Sequence, residues 1–198
     1  MHRYPKHLIT LIECFRKLPG VGRKTAERFA FKVLDWKEKE ISVFSDTLSK
    51  LVQSITKCSD CGCLKEQTEC HFCNKNGLDP ILCIIASAKD VYPIEQTRFY
   101  HGYYHVLGTL ISPLEGKSAD DLNIDHLLSR IDTLKIEEVI LALDSTLAGD
   151  ATCLYLQQHL KYRKIKISKL ASGVPIGSSL EFIDEGTLSK ALSCRQSI

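Results

Sequence analysis

The sequence predicts an α+β chain in four successive parts. These are a helical head over 1–56, a four-cysteine ribbon over 57–76, a parallel α/β sheet domain over 77–172 and a short tail over 173–198. Three observations predict this arrangement. Apolar residues recur at helical spacing through the head. Two Cys-x-x-Cys pairs fall inside one sixteen-residue window, Cys58 to Cys73. Beyond Gly77, short apolar runs suited to strands alternate with helix-like stretches, which is the texture of a parallel sheet. A chain of 198 residues suits one large domain or two small ones.

The head begins with a helix over His7–Phe15, with Leu8, Ile9, Leu11, Ile12 and Phe15 at helical spacing. Leu18-Pro19-Gly20-Val21-Gly22 breaks it, and a second helix follows through Ala26, Phe29, Ala30, Val33 and Leu34. A third spans roughly Ser42–Ile55, with Val43, Phe44, Leu48, Leu51, Val52 and Ile55 on one face. The turn opens directly into the second helix. Gly20 and Gly22 permit positive φ and a close backbone approach, and unpaired N–H groups there stand at the positive end of a helix dipole, a seat for phosphate. Arg23, Lys24 and Arg28 add charge beside it. This pattern looks like a helix-hairpin-helix motif, which holds a nucleic-acid backbone without reading bases. Gly20, Gly22, Arg23, Lys24 and Arg28 are therefore the expected DNA-binding residues. A packing corner between two helices is the plainer alternative. A nucleotide-binding P-loop fits poorly, because Arg23 separates Gly22 from Lys24, position 17 is lysine, and the preceding segment is helical.

The ribbon's four cysteines, Cys58, Cys61, Cys70 and Cys73, have the spacing of a tetrahedral metal site, with zinc the expected ion, one per chain. Two residues between cysteines let both sulfurs of a knuckle point at one ion, and two knuckles complete the shell. Such a site is a structural staple whose binding energy is folding energy. Cys63 and His71 lie within the window as competing ligands, but either one spoils a symmetric knuckle, so both read as bystanders. A redox pair needs a different setting, a strand before and a helix after.

Strands are expected at Ile81–Ile85, Tyr103–Leu107, Glu138–Leu143 and Ile165–Leu170, with helices at Leu122–Ile131 and Ala151–Leu160 between them. Gly173-Val174-Pro175-Ile176-Gly177 introduces the tail, which has strand and helix character.

Composition excludes several classes. No apolar run is long enough to span a membrane, and Met1–Lys6 lacks the apolar core of a secretory signal. Five of the nine cysteines remain after the ligands, scattered without a pairing pattern. They read as reduced thiols, hence a cytoplasmic protein. Net charge is +2, but residues 1–39 hold ten cations against four acids, +6, which leaves −4 for the rest. A basic head on a mildly acidic body suits a polyanion, while a solvated helix face accounts for the charge equally well.

The sheet domain is similar to Toprim domains, which place a glutamate after the first strand and an Asp-x-Asp after a later one to bind magnesium. Here Ala86 occupies the glutamate's place, and Asp144 has no acidic partner two residues on. Asp150 follows further along. The two aspartates form either a weak magnesium site or helix-capping groups, and the second reading is favoured.

The glycine turn, the cysteine pairs, the Toprim-like sheet, Leu110–Gly116 and the tail Gly173–Phe182 occur in one order. Together they resemble the RecR family of bacterial recombination mediators over almost the whole chain. The resemblance implies a DNA-repair protein without catalytic activity that acts with RecO, and in some settings RecF. It helps RecA replace single-strand-binding protein at single-stranded gaps. It also implies rings of four that encircle DNA, assembled through head and tail, with Lys24 and Arg28 facing DNA. Leu180–Asp184 resembles the apolar-then-acidic strand of nucleotide-binding proteins and, without a P-loop, is taken as structural. Ala86 and Ala148 stand where that family usually keeps acids, which bears on metal chemistry and on partner docking. The competing functions are a magnesium-dependent Toprim-type nuclease or strand-transfer enzyme centred on Asp144 and Asp150, and a thiol-redox or zinc-sensing module.

Overall fold

A computed structural model of the chain describes residues 4–66, 68–73 and 77–195. Arg3 of the basic head, and the expected part boundaries at 76 and 198, lie outside them. The chain forms two compact units, Met1–Ile55 and Thr56–Ile198.

The first unit holds α1 (Lys6–Arg16), α2 (Arg23–Leu34) and α3 (Glu38–Ser54). Leu8 and Ile12 of α1 are buried against Ala26 and Ala30 of α2, and Tyr4, Leu11, Phe15 and Val21 close around them. The two alanines are fully buried, and their small size lets the helices approach closely. Phe15–Phe29 and Tyr4–Phe31 edge-to-face contacts flank this seam. The helix expected from Ser42 begins at Glu38 instead. Its start is set by capping rather than by the apolar period: the Glu40 carboxylate accepts from the Lys37 N–H at 2.8 Å, and Glu38 and Glu40 lie at the positive end of the dipole. No residue of α3 is buried, and Val43, Phe44, Leu48, Leu51 and Val52 all face outward.

At the start of the second unit, β1 (Ile55–Lys57), whose first residue closes the first unit, pairs with β2 (Leu64–Glu66) in the ribbon. A four-stranded sheet follows, built from β3 (Ile81–Ile85), β4 (Tyr103–Val106), β5 (Glu138–Ala142) and β6 (Lys166–Lys169) in the order β4-β3-β5-β6. Every pairing in it is parallel. The connections carry α4 (Val91–Gln96), α5 (Ile124–Thr133) and α6 (Leu147–Leu160).

Strand alternation divides the core. Leu82 and Ile84 of β3, with Val139 and Leu141 of β5, pack with Leu127 and Ile131 of α5 and Leu156 and Leu160 of α6. Cys83 and Ile85 point the other way, with Tyr104, into a core shared with Val91, Phe72 and the ribbon cysteines. The ribbon therefore covers one face of the sheet. An all-parallel sheet needs both faces covered, and here a cysteine ribbon with the short α4 takes the place of a second set of long helices.

Two differences from expectation have local causes. α4 was not expected; it continues from a 3-10 turn at Ala88–Asp90 whose start is capped, with the Asp90 carboxylate accepting from the Ser87 N–H at 2.8 Å. The tail has no strand among its described residues. Leu180–Phe182 is a 3-10 turn, and Asp184 caps α7 (Glu185–Ser193) by accepting from Thr187 N–H at 2.9 Å. The run at 180–184 is therefore a turn leading into a helix cap, with no neighbouring ladder to make it a strand.

His105 of β4 is buried beside Arg130 and His126 of α5. Burial first, then the Arg130 charge and His126, push its pKa from about 6.5 down to about 3. Unfolding returns the ring to its ordinary value. Between these limits the unfolded chain holds the extra proton, so stability is full above about pH 6.5 and falls as pH drops towards 3. The expected slope from this group is about 1.4 kcal/mol per pH unit. Urea unfolding at pH 7 and 5.5 measures it, and His105→Asn is expected to show a shallower loss than the native chain.

Candidate functional site

The head's turn is built by ordinary backbone chemistry. Val21 N–H donates to Leu18 O at 3.2 Å around Pro19 and Gly20. Gly20 has φ +76°, the conformation that favours glycine at this point of a turn. Gly22 has φ −76° and serves as the α2 N-cap, so its backbone conformation does not require glycine. A side chain at either position would meet open space, so the turn's backbone is accessible. Ala26 N–H donates to Gly22 O at 2.9 Å and starts the helix ladder. Among the described residues nothing accepts from the N–H groups of Gly22, Arg23, Lys24 or Thr25. These donors stand at the positive end of α2.

The three expected cations separate into two kinds. Arg23 Nε donates to Glu27 Oε1 at 3.1 Å, an i,i+4 ion pair that offsets its charge. Lys24 and Arg28, also i,i+4, share the adjoining face of α2. Both are exposed and make no ion pair with an acid among the described residues. The Arg28 guanidinium lies 5.7 Å from the centre of the Phe29 ring. Two cations and a row of amide donors thus converge beside an open turn, a geometry that fits phosphate.

The second site is the cysteine cluster. Cys58, Cys61 and Cys70 are buried and Cys73 is half-buried. Their sulfurs all lie within 4.8 Å of one another, with Cys58–Cys73 at 3.9 Å and Cys61–Cys70 at 3.5 Å. Four sulfurs about 2.3 Å from one ion would be about 3.8 Å apart, so the set fits a tetrahedral metal ion. The Cys61 thiol is held below its ordinary range by hydrogen bonds from Cys63 and then Cys73, while burial raises Cys70 to about 11. Cys63 is buried and contacts Cys61 but stands outside the four-sulfur group, and His71 is exposed outside it as well.

The knuckle is fastened to the sheet. Gly62, φ +77°, lets its N–H donate to Cys58 O at 2.9 Å. A Cβ there would stand 2.8 Å from Val106 Cβ. Val106 N–H on the edge strand β4 donates to Cys61 O at 2.8 Å. Sequence reasoning missed Arg130, which reaches the same place from α5: it donates to Tyr104 O at 2.8 Å and to Cys73 Sγ at 3.9 Å. The available signal was a charged residue among the apolar positions of Leu127 and Ile131.

The sheet's carboxyl ends hold few acids. Strand order reverses between β3 and β5, where open α/β sheets bind ligands, and Ala86 and Asp144 follow those two strands. The helix cap belongs to Thr146, whose hydroxyl accepts from Gly149 N–H at 3.1 Å, rather than to Asp144. Asp150 lies in the first turn of α6, as its capping reading expects. Lys169 donates to it at 2.6 Å and holds its carboxyl below the usual range. Among the described residues the four cysteines are the one group of three or more ligands that could share an ion.

Comparison with known proteins follows the same division. Residues 8–52 match the family model "RecR, helix-hairpin-helix", 81–171 match "Toprim domain" and 173–196 match "RecR, C-terminal". The chain is 48% identical over 194 residues to the "Recombination protein RecR" of Protochlamydia amoebophila, covering 98% of each chain. It is 45% identical over 197 residues to that of Chlamydia caviae, again covering 98% of each. With the Chlamydia pneumoniae protein it shares 44% identity over 199 residues and the full length of both.

Elemental analysis of the purified chain is expected to find one metal ion, and none after Cys61→Ser. Stripping the ion should lower Tm by about 2–4 °C for each kcal/mol of stability lost, which differential scanning calorimetry measures.

Proposed function

This chain belongs to the RecR family of recombination proteins, and on that premise we propose that it is a non-enzymatic, DNA-binding mediator of recombinational repair. It acts with RecO, and in some settings RecF, to help RecA load at single-stranded gaps. The observation that carries this reading is the exposed Gly20–Gly22 turn, with unpartnered amides and the unpaired cations Lys24 and Arg28 on one face. Gly20, Gly22, Lys24 and Arg28 meet the DNA phosphates, with Arg23 a weaker contact because Glu27 already holds it. Such contacts position the protein without reading sequence.

Catalysis is disfavoured by chemistry. Two-metal cleavage needs clustered carboxylates. Ala86 and Ala148 lack them, Asp144 has no partner two residues on, and Asp150 is occupied by Lys169. The cysteine centre holds zinc, since four thiolates suit that ion and leave no open coordination position. It is a structural element. No helix of the described residues is long and apolar enough to cross a membrane, and the five cysteines outside the cluster, none of them in a disulfide, suit a cytoplasmic location.

One turn with two cations gives few phosphate contacts, and several copies around a common hole multiply them. The exposed apolar stripe of α3, with Val43, Leu48 and Leu51, and the exposed Ile176, Leu180 and Phe182 of the tail are the surfaces for a ring of four. The working parts are the head 1–56, the ribbon 57–76, the sheet domain 77–172 and the assembly tail 173–198.

Fluorescence anisotropy across a salt series tests the head. Lys24→Ala and Arg28→Ala should each weaken DNA binding similarly for all sequences and lower the salt slope by about 1. Unchanged binding in both variants removes the head as the DNA contact. Magnesium with labelled DNA should yield no cleavage, and cleavage abolished by Asp144→Asn would establish the nuclease instead. For assembly, light scattering is expected to report about four chain masses, falling at least twofold in a Val43→Glu, Leu51→Glu double variant, since burying two unpaired carboxylates is costly.

A further inference from the structure

Arg130 is almost fully buried, 9% exposed, and no carboxylate among the described residues pairs with it. A guanidinium stays protonated in a protein, and a buried charge needs a counter-charge. Its hydrogen bonds go to Tyr104 O at 2.8 Å and to His105 Nδ1 at 3.3 Å. Because the guanidinium only donates, that histidine nitrogen accepts, so its ring is a neutral partner. The remaining contact is Cys73 Sγ, 3.9 Å from the second terminal nitrogen.

The cysteine centre has the opposite deficit. Four thiolates around a divalent ion carry a net charge of −2, in a core that also holds Cys63, Cys83, Phe72, Ile85, Val91 and Tyr104, none of them a cation. The buried cation without an anion and the buried anion without a cation meet at one sulfur.

We propose that Arg130 is the counter-charge and positioning residue of the four-cysteine metal centre, and that the loaded centre in turn fastens α5 and β4 to the ribbon. The proposal rests on the metal reading of the cysteines. Arg130 orients the Cys73 sulfur with one arm and grips the Tyr104 carbonyl with the other, so ribbon, edge strand and helix meet at one side chain. Partners of metal ligands that act in this way tune both affinity and orientation. When the ion leaves and the sulfurs regain protons, Arg130 loses its anion and becomes an unpaired buried charge. Metal loss therefore loosens the sheet as well as the ribbon.

The test uses the full chain as wild type, Arg130→Met and Arg130→Lys. Zinc affinity is read by competition with a chromophoric chelator, site geometry by the thiolate-to-cobalt charge-transfer band of the cobalt-loaded protein, and stability by Tm with and without metal. Arg130→Met should weaken zinc binding roughly 10–100-fold and shift the cobalt band. It should also lower Tm more in the loaded protein than in the metal-free one. Arg130→Lys, which keeps the charge, should lose less affinity than Arg130→Met. Unchanged affinity and cobalt spectrum in Arg130→Met, or equal Tm losses with and without metal, would show ordinary packing and overturn the proposal. Should Arg130→Met not fold, Arg130→Lys decides: a shifted cobalt band in a folded protein supports the role, and an unshifted band refutes it. A wild-type chain that binds neither zinc nor cobalt would instead sink the metal reading, and this inference with it.

Discussion

The sulfur cluster of Cys58, Cys61, Cys70 and Cys73 is the constraint on which the second unit depends. A parallel sheet must be covered on both faces, because its strands are apolar on both. α5 and α6 cover one face. The other receives Phe72 and the cysteines, carried on a ribbon whose strands among the described residues are three residues each. Two such strands bury too little surface to hold a shape alone. A metal ion held by these four sulfurs would close the loop that the short strands cannot, and its binding energy would become folding energy for the covering layer.

The same economy of structure appears in the head. Ala26 and Ala30 bring α1 and α2 close enough that Pro19 and Gly20 can turn the chain in a few residues. That tight turn leaves the first amides of α2 without protein acceptors and facing outward. Larger residues at those two positions would separate the helices and demand a longer connection. The packing of the seam and the openness of the turn are thus one fact seen from two sides.

Charge placement separates the two units further. Of the three cations beside the head's turn, Arg23 is tied to a glutamate, while Lys24 and Arg28 have no acidic partner among the described residues. At the carboxyl ends of the sheet the opposite holds, since Lys169 engages Asp150 and alanine stands at 86. The chain presents positive charge where a polyanion can reach it and withholds the carboxylates that would gather metal at the sheet. The proposed role, binding without cutting, rests on this distribution.

Much of this was legible in the sequence. Helices α1 and α2, all four sheet strands, the glycine turn and the metal ligands lay within short windows. Their signals are periodicity, turn residues and ligand spacing, which depend on neighbours a few positions away. The start of α3 was missed because the capping carboxylate of Glu40 outweighed the apolar period, and α4 because it is a short helix continuing from a capped 3-10 turn at Ala88–Asp90. The tail run at 180–184 had a strand's composition, but a strand exists only where another strand offers its ladder, and none does among the described residues. Arg130 and Cys73 stand 57 positions apart and meet only because α5 and the ribbon pack on the same edge strand. The sequence by itself determined the local elements, the cysteine cluster and the glycine turn. Tertiary structure alone decided which sheet face the ribbon covers, which of the turn's cations find an acid and which sulfur a buried arginine meets, because each of those depends on groups that folding brings together.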